Sequence, residues 1–385
     1  MDELMPGSPI RVLQLLSDNQ PGGGMVQMHQ FASWVDRDAF HFEFAMPADG
    51  PMPESLKDMG ETVHAVELGS RFGLSDVSQL MQLCTERGID VLHSHNVRAN
   101  VHARVAGWRA GVPVRVSTIH NSVYHYNVAA LNQRAYALAE RLTLRWCDRV
   151  IAVSEGIAQQ LRSGYGFPAD KITVVPNGVD SGRLKPHRSR EEVREMVGVE
   201  PGAPVLLQVG RLTPQKGFDV LFEAIAKIAK RYPHLVVLAV GEGPLRQQLE
   251  GLAQQLNIES AVRFLGHRED VADLLNAVDL VTLASRSEGM PYTLLEAMGS
   301  GRAVVATRIG GIEEVIKKEG TAALVPTENP EALAAAITTL LDDPAHAAQM
   351  GRDANDYIME HHTAAGMVAQ VQSIYQDLLA KRTSS

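Results

Sequence analysis

The chain has 385 residues, 45% of them hydrophobic, and a formal net charge of −9. That length allows two to three domains, each large enough for its own core. The longest apolar runs, such as Leu235-Val236-Val237-Leu238-Ala239-Val240, are far too short to span a bilayer, and no nucleic-acid partner is expected of this acidic chain.

From its first residues, Met1-Asp2-Glu3-Leu4-Met5-Pro6, the chain shows no basic start and no apolar signal region, so a cytoplasmic location is expected. Short β-rich runs then alternate with helical patterns, the signature of a doubly wound α/β architecture. The first half predicts strands near residues 10–16, 42–46, 62–66, 91–93, 114–118, 149–153 and 172–175. The first of these runs into Ser17-Asp18-Asn19-Gln20-Pro21-Gly22-Gly23-Gly24, with a helix from about Met25. A strand, a glycine loop and a helix start together suit a phosphate, because glycine lets the backbone approach closely. A tight turn would use the same residues. The pattern is neither G-x-G-x-x-G nor a Walker loop, since no Lys-Ser/Thr follows. Asp36-Arg37-Asp38 reads as the surface cap of a polar helix rather than a metal site.

His93-Ser94-His95-Asn96 closes another strand. With that strand ending at His93, the two histidines do not share a face and make a poor metal pair. His95 is kept as an acceptor-side candidate. Ser117-Thr118-Ile119-His120-Asn121 sets His120 at a strand's carboxyl edge, as a structural histidine or as a substrate contact. Tyr124 and Arg134, in the segment that follows, are expected on the acceptor side. Cys84 and Cys147 have no metal-ligand spacing and read as buried thiols in a reducing compartment. Residues 98–190 hold fourteen Lys/Arg against five Asp/Glu, a local +9, so the rest of the chain carries −18. This stretch is either a solvated surface or a face for something anionic, such as a membrane or a phosphorylated acceptor.

A break is expected in Pro176-Asn177-Gly178-Val179-Asp180 and the basic run through Arg190. The predicted domains are residues 1–183, joined by a final helix within 364–385, and residues 184–363. The second half predicts strands near residues 205–209, 235–240, 262–265, 280–283, 303–307 and 322–325. Gly210-Arg211-Leu212-Thr213-Pro214-Gln215-Lys216-Gly217 follows the first, at the edge where doubly wound sheets bind ligands. Arg211 and Lys216 there can pair with two phosphates, one as a fork and one as a point charge. Gly241-Glu242-Gly243-Pro244 ends the next strand and lacks a third glycine, with Arg246 at that position, which argues against a dehydrogenase. Its glycines admit a base or ribose, or form a simple turn.

Ser287-Glu288-Gly289-Met290-Pro291-Tyr292-Thr293-Leu294-Leu295-Glu296 sets two glutamates eight positions apart around a helix start, with Pro291 at the first helical position. The free N–H groups of such a start bind anions. Glu288 sits before it, and Glu296 lies roughly 8 Å along the helix at ~1.5 Å per residue. Two carboxylates that accept paired hydroxyls, flanking an anion site, suit a nucleotide sugar. Helical patterns at 345–361 and 364–381 close the chain with little between them to form another sheet, so the last must pack on an existing domain.

With these residues in place, the whole chain resembles the retaining GT-B glycosyltransferases of family 4, also called glycosyl transferases group 1. The likeness is carried by Glu288-x7-Glu296, Glu296-Ala297-Met298-x-x-Gly301, Gly310-Gly311-Ile312-x-Glu314, Gly210-Arg211-Leu212 with Lys216-Gly217, and Val175-Pro176-Asn177-Gly178-Val179-Asp180. It implies two Rossmann-like domains facing a central cleft, with the C-terminal helix crossing back to the first domain. It also implies roles: Glu288 on the donor sugar, Glu296 on the ribose, Arg211 and Lys216 on the diphosphate, and His120 on the sugar from the opposite domain. Gly22, Gly23 and Gly24 would approach the phosphate or acceptor. Gly210, Glu242, Gly243, Gly289, Met290, Tyr292 and Thr293 would line the donor site, with N–H groups near Tyr292 and Thr293 helping to hold the diphosphate.

Asn121 departs from the acidic residue common after that histidine, and Met290-Pro291-Tyr292 from the commoner Phe-Gly-Leu. The expected reaction is retaining transfer of a hexosyl or N-acetylhexosaminyl group. A UDP-sugar is the favoured donor and GDP-mannose the next, with a glycan or lipid-linked acceptor and neither cofactor nor metal. A GT-B nucleotide-sugar 2-epimerase and a non-catalytic nucleotide-sugar-binding subunit are the alternatives.

Overall fold

The computed structural model describes residues 8–18, 22–69, 73–121 and 130–383. The chain divides into two compact units, Met1–Pro176 with Ala364–Ser385, and Asn177–Thr363.

In the first unit the strands are β1 (Ile10–Leu16), β2 (Phe40–Met46), β3 (Thr62–Ala65), β4 (Val91–His95), β5 (Val114–Ile119), β6 (Arg149–Ala152) and β7 (Ile172–Val174). They pair in parallel in the order β3-β2-β1-β4-β5-β6-β7. The strands are short, nearly continuous apolar runs because helices cover both faces of a parallel sheet. The order reverses between β1 and β4, which opens a crevice at the carboxyl ends of those two strands. The helix Ala364–Thr383 packs into this unit. Its Met367, Val368, Val371, Tyr375 and Leu379 recur at helical spacing and join Phe31, Phe40 and Phe42 in one core. Each such side chain, fully buried, contributes roughly 1.5–3 kcal/mol.

The second unit repeats the plan with β8 (Val205–Val209), β9 (Val236–Val240), β10 (Val262–Gly266), β11 (Leu280–Leu283), β12 (Ala303–Thr307) and β13 (Ala323–Val325). The parallel order is β10-β9-β8-β11-β12-β13, with the reversal between β8 and β11. Phe218, Leu221, Phe222, Ile225 and Ile228 form the buried stripe of the helix Phe218–Ile228, as their spacing predicts. All thirteen predicted strands are present.

Three local expectations are corrected. Strand β4 continues through His95 instead of ending at His93, because both of its neighbours keep pairing there, Leu16 on β1 and Thr118 on β5. His93 and His95 therefore do share a face, with ring centroids 4.2 Å apart. Asp36-Arg37-Asp38 does not cap a polar helix: the helix Gly23–Trp34 is largely buried and stops before it. There the Asp38 N–H donates to Asp36 Oδ1 and Arg37 pairs with Glu61. Pro291 is the N-cap of Tyr292–Gly299 rather than its first helical residue, with extended φ −75° and ψ 127°.

Candidate active site

In the second unit, the loops leaving β8, β9, β11 and β12 meet backbone against backbone at the carboxyl edge of the sheet. Gly241 has φ +129°, and a Cβ there would lie 2.1 Å from the Gly210 carbonyl oxygen. Gly311 is held as closely, since its Cβ would fall 2.1 Å from Gly289 O and 2.5 Å from Glu288 O. Leu212 is buried and locks the first loop to the second: its N–H donates to Glu242 O, its carbonyl accepts from Leu245, and Gly243 sits against it. The Glu242 side chain lies over Gly266. Arg286 ties the β11 loop to the β8 loop through Asp219 and the Pro214 carbonyl.

Lys216 runs its methylenes across Gly210, where a Cβ would crowd them at 3.1 Å. Its Nζ then donates to Glu288 Oε1 at 2.6 Å. The same oxygen accepts from Ser285 Oγ at 2.8 Å. The Glu288 side chain is only 8% exposed and that of Lys216 25%. Two residues predicted for different parts of a substrate are thus an ion pair. Arg211, by contrast, is exposed, and its guanidinium makes no bond to the described residues.

The buried Gln208 supports this pair from below: its Nε2 donates to the Lys216 carbonyl, and its Oε1 accepts from Thr282 and from the Ala284 N–H. Asn177 donates to the Met290 carbonyl at 2.8 Å and so fixes the approach to the helix start. Met290 and Tyr292 are buried, so their side chains belong to the core of the unit. The first helical hydrogen bonds come from Leu294 and Leu295 to Pro291 O, which leaves the Thr293 N–H outside the ladder. Glu296 follows on the next turn. Burial pushes its carboxyl above the usual range, and the charge of Arg183 opposes that rise.

In the first unit, the β1/β4 crevice carries the other candidates. Gly22 caps the helix Gly23–Trp34, and a Cβ on it would meet nothing within 4 Å. The internal packing therefore leaves its outer face open. Gly23 and Gly24 form the first turn, with Gly24 against Leu16. Asn96 has φ 69°, caps the helix Val97–Arg109 through Ala99, accepts from Ser17 Oγ at 2.6 Å and donates to Asp18. A non-glycine residue held there stores strain at the crevice.

His95 is fully buried, while His120 is part-buried at the end of β5 with its ring stacked 5.8 Å from that of His95. Burial lowers the His120 pKa to about 4, so the ring is neutral near pH 7. Its Nε2 has no hydrogen-bond partner among the described residues. Arg134 is exposed on the helix Ala130–Thr143, and Tyr124 lies outside the described residues. Gln208, Ser285, Asn177 and Asn96 were not singled out from the sequence. Of these, Asn177 in Pro176-Asn177-Gly178 and Asn96 at the end of His93-Ser94-His95-Asn96 stand in motifs that the sequence marks. Among the described residues, no three His, Cys, Asp or Glu side chains are grouped to hold a metal ion, and no helix is long and apolar enough to cross a membrane.

Two doubly wound parallel sheets with glycine-built loops at their carboxyl edges define the GT-B class of glycosyltransferase. The family model described as Glycosyltransferase Family 4 matches residues 21–183, and that described as Glycosyl transferases group 1 matches residues 189–357. The chain is 30% identical to a D-inositol 3-phosphate glycosyltransferase of Kineococcus radiotolerans, over 86% of each chain. It is 25% identical to the UDP-Gal:alpha-D-GlcNAc-diphosphoundecaprenol alpha-1,3-galactosyltransferase of Escherichia coli, over 97% of each. The Anabaena HepE structure in complex with UDP-glucose superposes with a TM-score of 0.85 at 22% identity, covering 96% of this chain and 100% of that one. The chain belongs to glycosyltransferase family 4, the glycosyl transferases group 1.

Proposed function

We propose that this glycosyltransferase moves a hexosyl or N-acetylhexosaminyl group, with retention, from a nucleotide diphosphate sugar to a hydroxyl of a glycan or glycolipid. The observation that carries the reading is the Lys216–Glu288 pair, with an exposed Arg211 that has no side-chain partner among the described residues, on the loops that leave β8 and β11. A diphosphate brings the anion that Lys216 and Arg211 suit, and sugar hydroxyls bring the donors that Glu288 accepts. Glu296 takes the ribose hydroxyls, and the Thr293 N–H with the helix dipole adds to phosphate binding. His120, as a neutral imidazole, is assigned to the donor sugar.

As the anomeric C–O bond to the diphosphate breaks, negative charge grows on the leaving oxygen. Arg211 and Lys216 stand ready for it, which is preorganised electrostatic stabilisation. The acceptor oxygen bonds to the anomeric carbon on the face the phosphate leaves, and its proton passes to the departing phosphate oxygen. Two protein cations supply the charge a metal would bring, so turnover is independent of added divalent ions. Loss of activity with chelator and recovery with magnesium would refute that.

A UDP-sugar is the favoured donor, with GDP-mannose second. The UDP-glucose complex of HepE and the UDP-galactose donor in the name of the Escherichia coli relative support this choice. Thermal unfolding with UDP-, GDP- and ADP-sugars tests it: the true donor raises the midpoint by an amount that grows with the logarithm of its concentration over its Kd. Incubation with donor alone separates transfer from 2-epimerisation, because an epimerised sugar appearing without acceptor would sink the transferase reading.

The acceptor is assigned to a lipid-linked or phosphorylated molecule met at an anionic membrane surface. On the helix Ala130–Thr143 and the turn after it, Arg134, Leu138, Arg141, Leu142 and Arg145 form one exposed stripe, with Leu138 57% and Leu142 56% exposed. Arg145 lies 4.2 Å over the Trp146 ring, which stacks on the half-exposed Trp108. The buried Arg104–Glu140 pair anchors that helix from behind. Leucine, tryptophan and arginine together suit a lipid interface with anionic headgroups. Sedimentation with anionic vesicles at low salt, reduced by Leu138→Asp/Leu142→Asp, is the expected result. Equal recovery with neutral vesicles would argue against it.

A further inference from the structure

A buried polar chain lies beneath His120. It begins at Thr118 Oγ1, 2.7 Å from His93 Nε2, and continues from His93 Nδ1 to the Tyr375 hydroxyl at 2.5 Å. Gln14 Nε2 donates to the Tyr375 oxygen at 3.1 Å, and Gln14 Oε1 lies 2.8 Å from His95 Nε2. All of these side chains are buried, and Tyr375 comes from the C-terminal helix, 361 positions from Gln14.

Once Gln14 donates to Tyr375, one arrangement leaves no donor of the chain without an acceptor. The tyrosine oxygen accepts, so its proton goes to His93 Nδ1. His93 then carries its proton on Nε2 and donates to Thr118. The amide oxygen of Gln14 can only accept, so His95 carries its proton on Nε2 as well. His95 Nδ1 is a bare nitrogen without a partner among the described residues, and the His120 ring stacks on that of His95. Burial and the neighbouring rings hold both His93 and His95 neutral. Among the described residues no carboxylate takes part in the chain, and its rings pack against Phe31, Phe40 and Phe42.

We infer that Tyr375 is a positioning residue for transfer: its hydroxyl sets the proton positions of His93 and His95, and that fixed pair holds the ring of His120. The functional half rests on the assignment of His120 to the donor sugar, while the tautomers stand apart from it. The C-terminal helix thereby supplies part of the site as well as part of the core.

The test is Tyr375→Phe, which removes the hydroxyl and keeps the packed ring. Long-range 1H–15N spectra of the full chain report each imidazole's tautomer without any substrate. The native protein should show Nε2–H forms for both rings. In Tyr375→Phe, His93 and His95 should become tautomer mixtures. Turnover at saturating donor, measured as nucleotide release with UDP-glucose, UDP-galactose or GDP-mannose, should fall roughly tenfold or more, with donor KM within about twofold. Thr118→Val, at the far end, should shift His93 in the same way. Phe40→Leu, a packing loss in the same core, should lower the melting point and leave turnover unchanged. Native-like tautomers in Tyr375→Phe would overturn the inference, as would native turnover in that variant. If no nucleotide sugar is bound or consumed, the donor assignment fails, and the spectra still decide whether Tyr375 sets the tautomers.

Discussion

Replacing Lys216 with methionine keeps the stem that crosses Gly210 and deletes the charge that meets Glu288 at 2.6 Å. The carboxylate left behind is 8% exposed and keeps one neutral donor, Ser285 Oγ. Breaking a fully buried pair costs roughly 3–5 kcal/mol and an exposed one below about 1. With Lys216 itself 25% exposed, a cost of about 2 kcal/mol is expected, or roughly 4–8 °C in the melting point of a unit this size. Glu288→Gln alone should also destabilise. The double variant should recover about 1–2 kcal/mol of the summed losses, because neither charge is then stranded. Denaturant midpoints of the four proteins measure the coupling. Turnover of Lys216→Met should fall by roughly 10²–10³ if the ammonium stabilises the leaving diphosphate. Strictly additive midpoints would mean that the pair is absent in solution. Turnover within about threefold of native would remove Lys216 from the diphosphate.

Arg211→Ala offers a contrast, since the guanidinium is exposed and has no partner among the described residues. Its stability should stay within about 0.5 kcal/mol of native while turnover collapses, and a parallel loss of both would show that Arg211 is structural. Gly241→Ala sets a Cβ 2.1 Å from a carbonyl oxygen at φ +129°, whereas Gly198→Ala, at φ +69°, meets nothing within 4 Å. The first should cost about 3 kcal/mol or more and the second about 1–2, and equal thermal shifts would refute the close approach of the two loops. His93 and His95 are buried and their pKa values lie below the usual value, that of His93 at about 3. Unfolding therefore binds protons below about pH 6.5, and stability is lost as the pH falls from there. The His93 ring should cost on the order of 1 kcal/mol between pH 7 and 5.5, and His95, lowered in the same direction, should add to that loss. A urea midpoint for the first unit that does not move over that range would show that the rings are charged or exposed.

The strands were legible because parallel strands covered on both faces must be short apolar runs, and turn residues separate them along the chain. The order of those runs was enough for two doubly wound sheets. Arg211, Lys216 and the two glutamates stood out because charged residues followed strands at ligand-binding edges, a local pattern. What the chain order hid was how such groups meet. Lys216 and Glu288 stand 72 positions apart, and each had been given its own part of a substrate before the fold joined them. His95 looked like an edge residue until strand pairing on both sides of β4 carried it inward. Local propensity marks a residue's type and its place on an element. The partner that sets its charge, its burial or its proton, as Tyr375 does for His93, is chosen by sheet order and helix docking, which bring together residues remote in sequence.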